Sequence, residues 1–104
     1  MEANRVEFIY SRNGILPPGN VTHVTIDPSV TVIEAEAFWG CRQLKCVEFV
    51  EGLEKIDENA FDGCTSLENV NIPSTINMIG DEAFLGCTNL IHVKLVEGLK
   101  EINM

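Results

Sequence analysis

The sequence predicts a repeat solenoid: stacked short coils, with a parallel β ladder on one side and short helical turns and extended segments on the other. Three observations predict it. Phe38, Phe61 and Phe84 recur at a constant step of 23 residues, and whole columns of neighbours recur with them. Each copy then alternates apolar with polar residues over a few positions, the mark of a short strand with one buried face. Each copy also places a glycine two residues after its phenylalanine, where a chain reversal needs one.

The columns run as Ala37, Ala60, Ala83; Gly40, Gly63, Gly86; Cys41, Cys64, Cys87; Leu44, Leu67, Leu90; Val47, Val70, Val93; and Ile33, Ile56, Ile79, Ile102. Val21, Val24, Ile26 and Val30 carry the frame back one step. Self-similarity at a fixed short period is the signature of a stacked array. No single copy can bury its apolar side alone, and stacking in register lets each cover the next.

Taken along the chain, residues 1–20 fit the frame loosely, with Tyr10 near an isoleucine position, Ile15 at a phenylalanine position and a turn signal at Asn13-Gly14. They are expected to form a degenerate first coil acting as a cap. Residues 21–104 hold the repeats, and the last repeat is incomplete, ending in "GLKEINM". Within a coil the strand comes first, as in "VTHVTI", "LKCVEF", "LENVNI" and "LIHVKL". A turn follows, marked by Pro28 and Pro73 in two copies and by Glu-Gly in the others, and then an apolar step ends at the repeated isoleucine. A single helical turn closes the coil. In "DENAFDGC", Asp57 is placed to cap its start and Gly63 to stop it in the left-handed conformation.

The pattern AF-x-GC-x-x-L-x-x-V-x-(I/L)-P, spread over about residues 21–104, resembles the BspA-type leucine-rich repeats. The period agrees with the 20–29 residues of leucine-rich repeats generally. The resemblance implies a right-handed solenoid of leucine-rich-repeat type, with one parallel ladder. It also implies a surface for adhesion or interaction, as found in bacteria and protists, rather than an enzyme.

Charge narrows the function classes. Sixteen acidic residues against seven basic give a net charge of −9, which repels phosphate backbones and anionic lipid, so no nucleic-acid or membrane partner is expected. The start lacks the basic-then-apolar layout of a secretory signal, and no apolar run reaches the length of a membrane span. Cytoplasmic residence is the resulting expectation, and the sequon at Asn20–Thr22 is read as chance. Phosphate-binding glycine loops, H-E-x-x-H, G-x-S-x-G and C-x-x-C are all absent. No cofactor is expected.

Candidate site residues are those that change while the columns around them hold. In a strand, residues flanking the inward valine point outward. This puts His23, Cys46, Asn69 and His92 in one exposed column and Thr25, Glu48, Asn71 and Lys94 in a second. Such variation suits a partner-binding face, and a plain solvated face shows it as well. A metal site is not expected. His23 and His92 are three rungs apart, roughly 14 Å at ladder spacing, while zinc reaches only ~2.0–2.3 Å to each ligand. Cys46 beside His23 lacks the orienting acid and cleft of a nucleophile–base pair.

Cys41, Cys64 and Cys87 read as an inward packing column. Parallel side chains lack the approach a disulfide requires, so reduced thiols are expected. Carboxylates at Glu34, Glu36, Asp57, Glu58, Asp81 and Glu82 suit the start of each helical turn and lack the spacing of a calcium loop. Trp39, Asp62 and Leu85 share one position near the surface, where a tryptophan either lies over its neighbouring turn or anchors a partner. The expected function is a non-enzymatic protein-interaction module with a protein partner. The rival is a structural piece that forms homo-oligomers through an uncapped C-terminal coil, or one section of a longer array.

Overall fold

The computed structural model of the chain describes residues 4–90 and 92–94. Eight short strands follow in order: β1 (Glu7–Tyr10), β2 (His23–Ile26), β3 (Val32–Ile33), β4 (Cys46–Glu48), β5 (Lys55–Ile56), β6 (Asn69–Asn71), β7 (Met78–Ile79) and β8 (His92–Lys94). They form a five-stranded sheet, β1-β2-β4-β6-β8, and a three-stranded sheet, β3-β5-β7. Every pairing is parallel. Parallel neighbours need a crossover, and here each crossover is the remainder of one coil. From β2 onward that remainder contributes the strand of the second sheet.

The register carries the 23-residue step. His23 faces Cys46, Cys46 faces Asn69 and Asn69 faces His92, while Lys55 faces Val32 on one side and Met78 on the other. Identical residues therefore lie directly above one another inside the stack. Leu44 and Leu67, Ile33, Ile56 and Ile79, and Phe38 and Phe61 are all buried. Ladder spacing of ~4.8 Å places the Phe38 and Phe61 ring centroids 5.0 Å apart and those of Phe61 and Phe84 5.3 Å apart, nearly parallel at 5° and 3°. Phe49 closes on the edge of Phe61 at 5.9 Å.

The expected helical turn takes a different form. Among the described residues there is no helix. Residues 34–41 make three overlapping turns, with the N–H groups of Ala37, Trp39 and Cys41 donating to the carbonyls of Glu34, Glu36 and Phe38. The intervening N–H groups of Glu36, Phe38 and Gly40 donate to the next coil, at Glu58, Ala60 and Asp62. A helix would keep those groups for itself. Left-handed backbone at Glu36 (φ 61°), Asn59 (57°) and Glu82 (58°) interrupts the helical path and turns alternate N–H groups along the stack. Of the two end features expected here, the glycine stop is present, with Gly63 left-handed at φ 80°. Asp57 does not cap: its Oδ1 accepts the adjacent Glu58 N–H at 2.8 Å, whereas a cap serves the second or third N–H onward.

The first coil also differs from its expected frame. Glu7 faces His23 and Tyr10 faces Ile26, a step of sixteen residues rather than 23. Tyr10 thus joins the strand column of Ile26 and Ile72 instead of the Ile33 column, and Ile15 is 60% exposed rather than in the phenylalanine stack. The Tyr10 ring itself covers the stack, 5.2 Å from Phe38 and tilted by 52°. Asn13-Gly14 forms its turn, with Gly14 at φ 79° and the Ile15 N–H donating to Asn13 Oδ1 at 2.9 Å. This short coil gives a strand to the large sheet and none to the small one, which leaves β3 at an edge. The C-terminal coil, to which the uncapped-end expectation refers, lies outside the described residues.

Candidate interaction surface

The ladder strands bury alternate residues, and the others form the candidate surface. Val24, Val47 and Val70 point inward and are buried, while Thr25, Glu48, Asn69 and Asn71 are exposed and His23 and Cys46 half-buried. The pairing places His23, Cys46, Asn69 and His92 at successive register positions of one column, and Thr25 level with Glu48 and Asn71 level with Lys94 in the other. The side chains of His92 and Lys94 lie outside the description.

Two members of this surface were missed by the periodic reading. Glu7 pairs with His23 and Ile9 with Thr25, so each column gains a fifth position. Ile9 is 64% exposed and is the large apolar group of the ladder face. The sixteen-residue first step hid both, because a search at 23 residues looks elsewhere. Across five strands the face spans roughly 19 Å at ladder spacing.

His23 is held by its neighbour Thr22. Thr22 is buried, and its hydroxyl donates to the Val6 carbonyl at 3.1 Å and accepts the Val6 N–H at 2.8 Å. His23 Nδ1 lies 2.7 Å from the same oxygen. That contact holds the ring on the face. His23 and Cys46 are neighbours, yet among the described residues no group of three His, Cys, Asp or Glu is placed to hold a metal ion.

The cysteine column is inward, as its repetition implies, and none of the four cysteines is in a disulfide. The Cys64 thiol donates to the Phe38 carbonyl and the Cys87 thiol to the Phe61 carbonyl, each at 3.1 Å. Burial raises the pKa of Cys41 and, strongly, of Cys64, whose neighbouring thiols add to the rise. Burial pushes Cys87 up to about 11. Neutral thiols in this setting are packing groups rather than nucleophiles.

A groove of about 380 Å³ lies beside the first coil, with Tyr10, Arg12, Ile15, Leu16, Val32 and Glu34 among its walls. The Tyr10 hydroxyl accepts the Glu34 N–H at 3.1 Å, and its own pKa is raised, chiefly by burial. This contact supplies a partner for a backbone group that the missing strand of the small sheet would otherwise meet.

On the turn ridge, Trp39 is 63% and Leu85 53% exposed, with Asp62 half-buried at the same repeat position between them. Trp39 is thus at the surface, as expected for this position.

Comparison with known proteins places this architecture. No curated protein sequence matches the chain. A leucine-rich repeat protein from Bacteroides ovatus is similar in structure, with a TM-score of 0.80 at 24% identity over 93% of this chain and 27% of its own length. The T. pallidum leucine-rich repeat protein is similar at a TM-score of 0.53 and 20% identity, over 90% of this chain and 63% of its own. The chain thus spans less than two thirds of either solved protein, and at these identities the likeness concerns the fold. The family model described as BspA type leucine rich repeat region (6 copies) matches residues 18–104. With the 23-residue register, the stacked phenylalanines and the Gly-Cys turn column all in place, the chain belongs to the BspA-type leucine-rich repeat family.

Proposed function

We propose that the chain is a non-enzymatic protein-binding module and that its ladder face is the working surface. The observation that carries this is the contrast within one register: inward positions repeat while outward positions change from each rung to the next. Stacking demands the first and leaves the second open to a ligand. Solenoids offer extended surfaces of this kind to other proteins. Under this reading Glu7, Ile9, His23, Thr25, Cys46, Glu48, Asn69 and Asn71 contact the partner, with His92 and Lys94 continuing their columns.

The test pairs a photo-crosslinking residue at position 25 or 71 with a variant carrying Thr25→Ala, Glu48→Ala, Asn69→Ala and Asn71→Ala. Crosslinking to a partner is expected from the ladder positions and not from an exposed control such as Ser29. The quadruple variant is expected to lose that partner while remaining cooperatively folded, since surface substitutions stay within about 0.5 kcal/mol each and four sum to about 2 kcal/mol at most. Equal crosslinking from Ser29, or full binding by the variant, overturns the reading.

A second reading is association between copies of the chain, favoured by β1 standing at an edge of the five-stranded sheet, since open edges pair readily. Native mass measured by light scattering across a concentration series, with reductant present, decides it. A mass that grows with concentration supports association, and a constant monomer mass counts against it.

A further inference from the structure

We infer that the turn ridge is a second docking surface, built for a basic segment of a protein partner that carries lysine or arginine between apolar side chains. Trp39 and Leu85 stand at one repeat position two coils apart, roughly 10 Å at ladder spacing, and both are more than half exposed. Asp62 occupies the rung between them. The Asn59 amide Nδ2 donates to Asp62 Oδ2 at 2.9 Å and to Glu82 Oε2 at 3.2 Å. One amide thus ties two carboxylates beside the Trp39–Leu85 gap. Asp62 also leans toward the next coil, where a Cβ added at Gly86 would stand 4.0 Å from its Oδ1.

The surroundings are of one sign. Residues 34–40, 57–63 and 80–86 contain seven carboxylates and no lysine, arginine or histidine. The cations at the border are Lys55, whose Nζ lies 3.8 Å from Asp57 Oδ2, and Arg42, two residues beyond Gly40. An acidic or neutral apolar partner would bury these carboxylates without compensation. A partner lysine or arginine would meet Asp62 and Glu82 and reach the face of the Trp39 indole, where a cation is also favoured. Apolar side chains on either side of it would cover the indole and Leu85. A polycation without apolar groups would leave both large side chains in water.

Trp39 is the one tryptophan of the chain, so the ridge reports on itself by fluorescence. The full chain is titrated with a short peptide alternating lysine and leucine, and with its glutamate–leucine counterpart. The lysine peptide is expected to shift Trp39 emission to the blue in a saturable, salt-sensitive manner, and the glutamate peptide to leave it in place. Asp62→Asn retains an oxygen to accept from Asn59 and removes the charge, and it is expected to weaken binding about threefold, as exposed ion pairs do. Leu85→Ala is expected to weaken it by a similar factor. Unmoved emission, equal response to the glutamate peptide, or wild-type affinity in both variants overturns the inference. If Thr25→Ala with Glu48→Ala abolishes the shift, the peptide uses the ladder face: the ridge inference then fails and the ladder proposal stands.

Discussion

Cys64 shows how a single side chain serves two coils. Its sulfur fills the interior, and its proton goes to the Phe38 carbonyl of the coil before. Because folding raises the thiol pKa values above the ordinary 9.0, the neutral thiols contribute stability that is fully present below pH 9. That contribution declines as pH rises toward about 11 at Cys87, and further still at Cys64. The Tyr10 hydroxyl, raised from 10.0, acts in the same direction. Urea unfolding at pH 8, 9.5 and 10.5 should show a progressive loss of stability, and Cys64→Ala should flatten that slope. Phe61 is fully buried and ringed by Phe38, Phe49 and Phe84. Phe61→Ala is expected to lose about 3–5 kcal/mol in the same assay. Both roles were legible in advance, since a cysteine or phenylalanine repeated at one step must stack on itself. The extent of Trp39 exposure was not, because Trp39, Asp62 and Leu85 share a position and differ in chemistry.

The turn segment holds the main departure at the level of elements. Asp57 and Gly63 carried the expected signals of a helix start and stop; the glycine is used as a left-handed turn, and Asp57 bonds only its neighbour Glu58. The backbone between them is diverted by left-handed residues at Glu36, Asn59 and Glu82, and only asparagine among these hints at that conformation. Alternate N–H groups then bond along the stack, which a sequence pattern of this length does not distinguish from a helical turn. Close coil-to-coil approach has one sharp test. A Cβ at Gly80 would stand 2.7 Å from the Glu58 nitrogen and 2.9 Å from the Asp57 carbonyl carbon, both backbone atoms with little room to move. Gly80→Ala is expected to destabilise by about 1–3 kcal/mol, the range for overpacking, read from the shift in denaturation midpoint. The first element escaped the periodic frame for a simpler reason. Its sixteen-residue step leaves room for one strand, and Tyr10 does the work of both a strand residue and a ring at the end of the stack.

For the molecule as a whole, stability is a sum of coils and of the interfaces between them. Coils with a neighbour on each side should open last. Amide hydrogen exchange is therefore expected to be slowest for Phe38, Phe61 and Val70 and faster in the first coil, Phe8 included. Uniform protection through the chain would contradict a stack of this kind. The large-scale layout was readable because a constant step fixes which residues meet. The choice between ladder face and ridge was not, since outward positions carry no such constraint. The hydrogen bonds of the turn segment are the same at both described junctions between phenylalanine coils, Phe38 to Ala60 and Phe61 to Ala83. An in-frame gene duplication of 23 codons between Val21 and Leu90 would therefore insert a coil that finds ready partners above and below. Copying the sixteen-residue coil into the interior would instead break the small sheet and the ring column at once. Such an array can lengthen by inheritance in its repeats, and the sixteen-residue coil is not one of them.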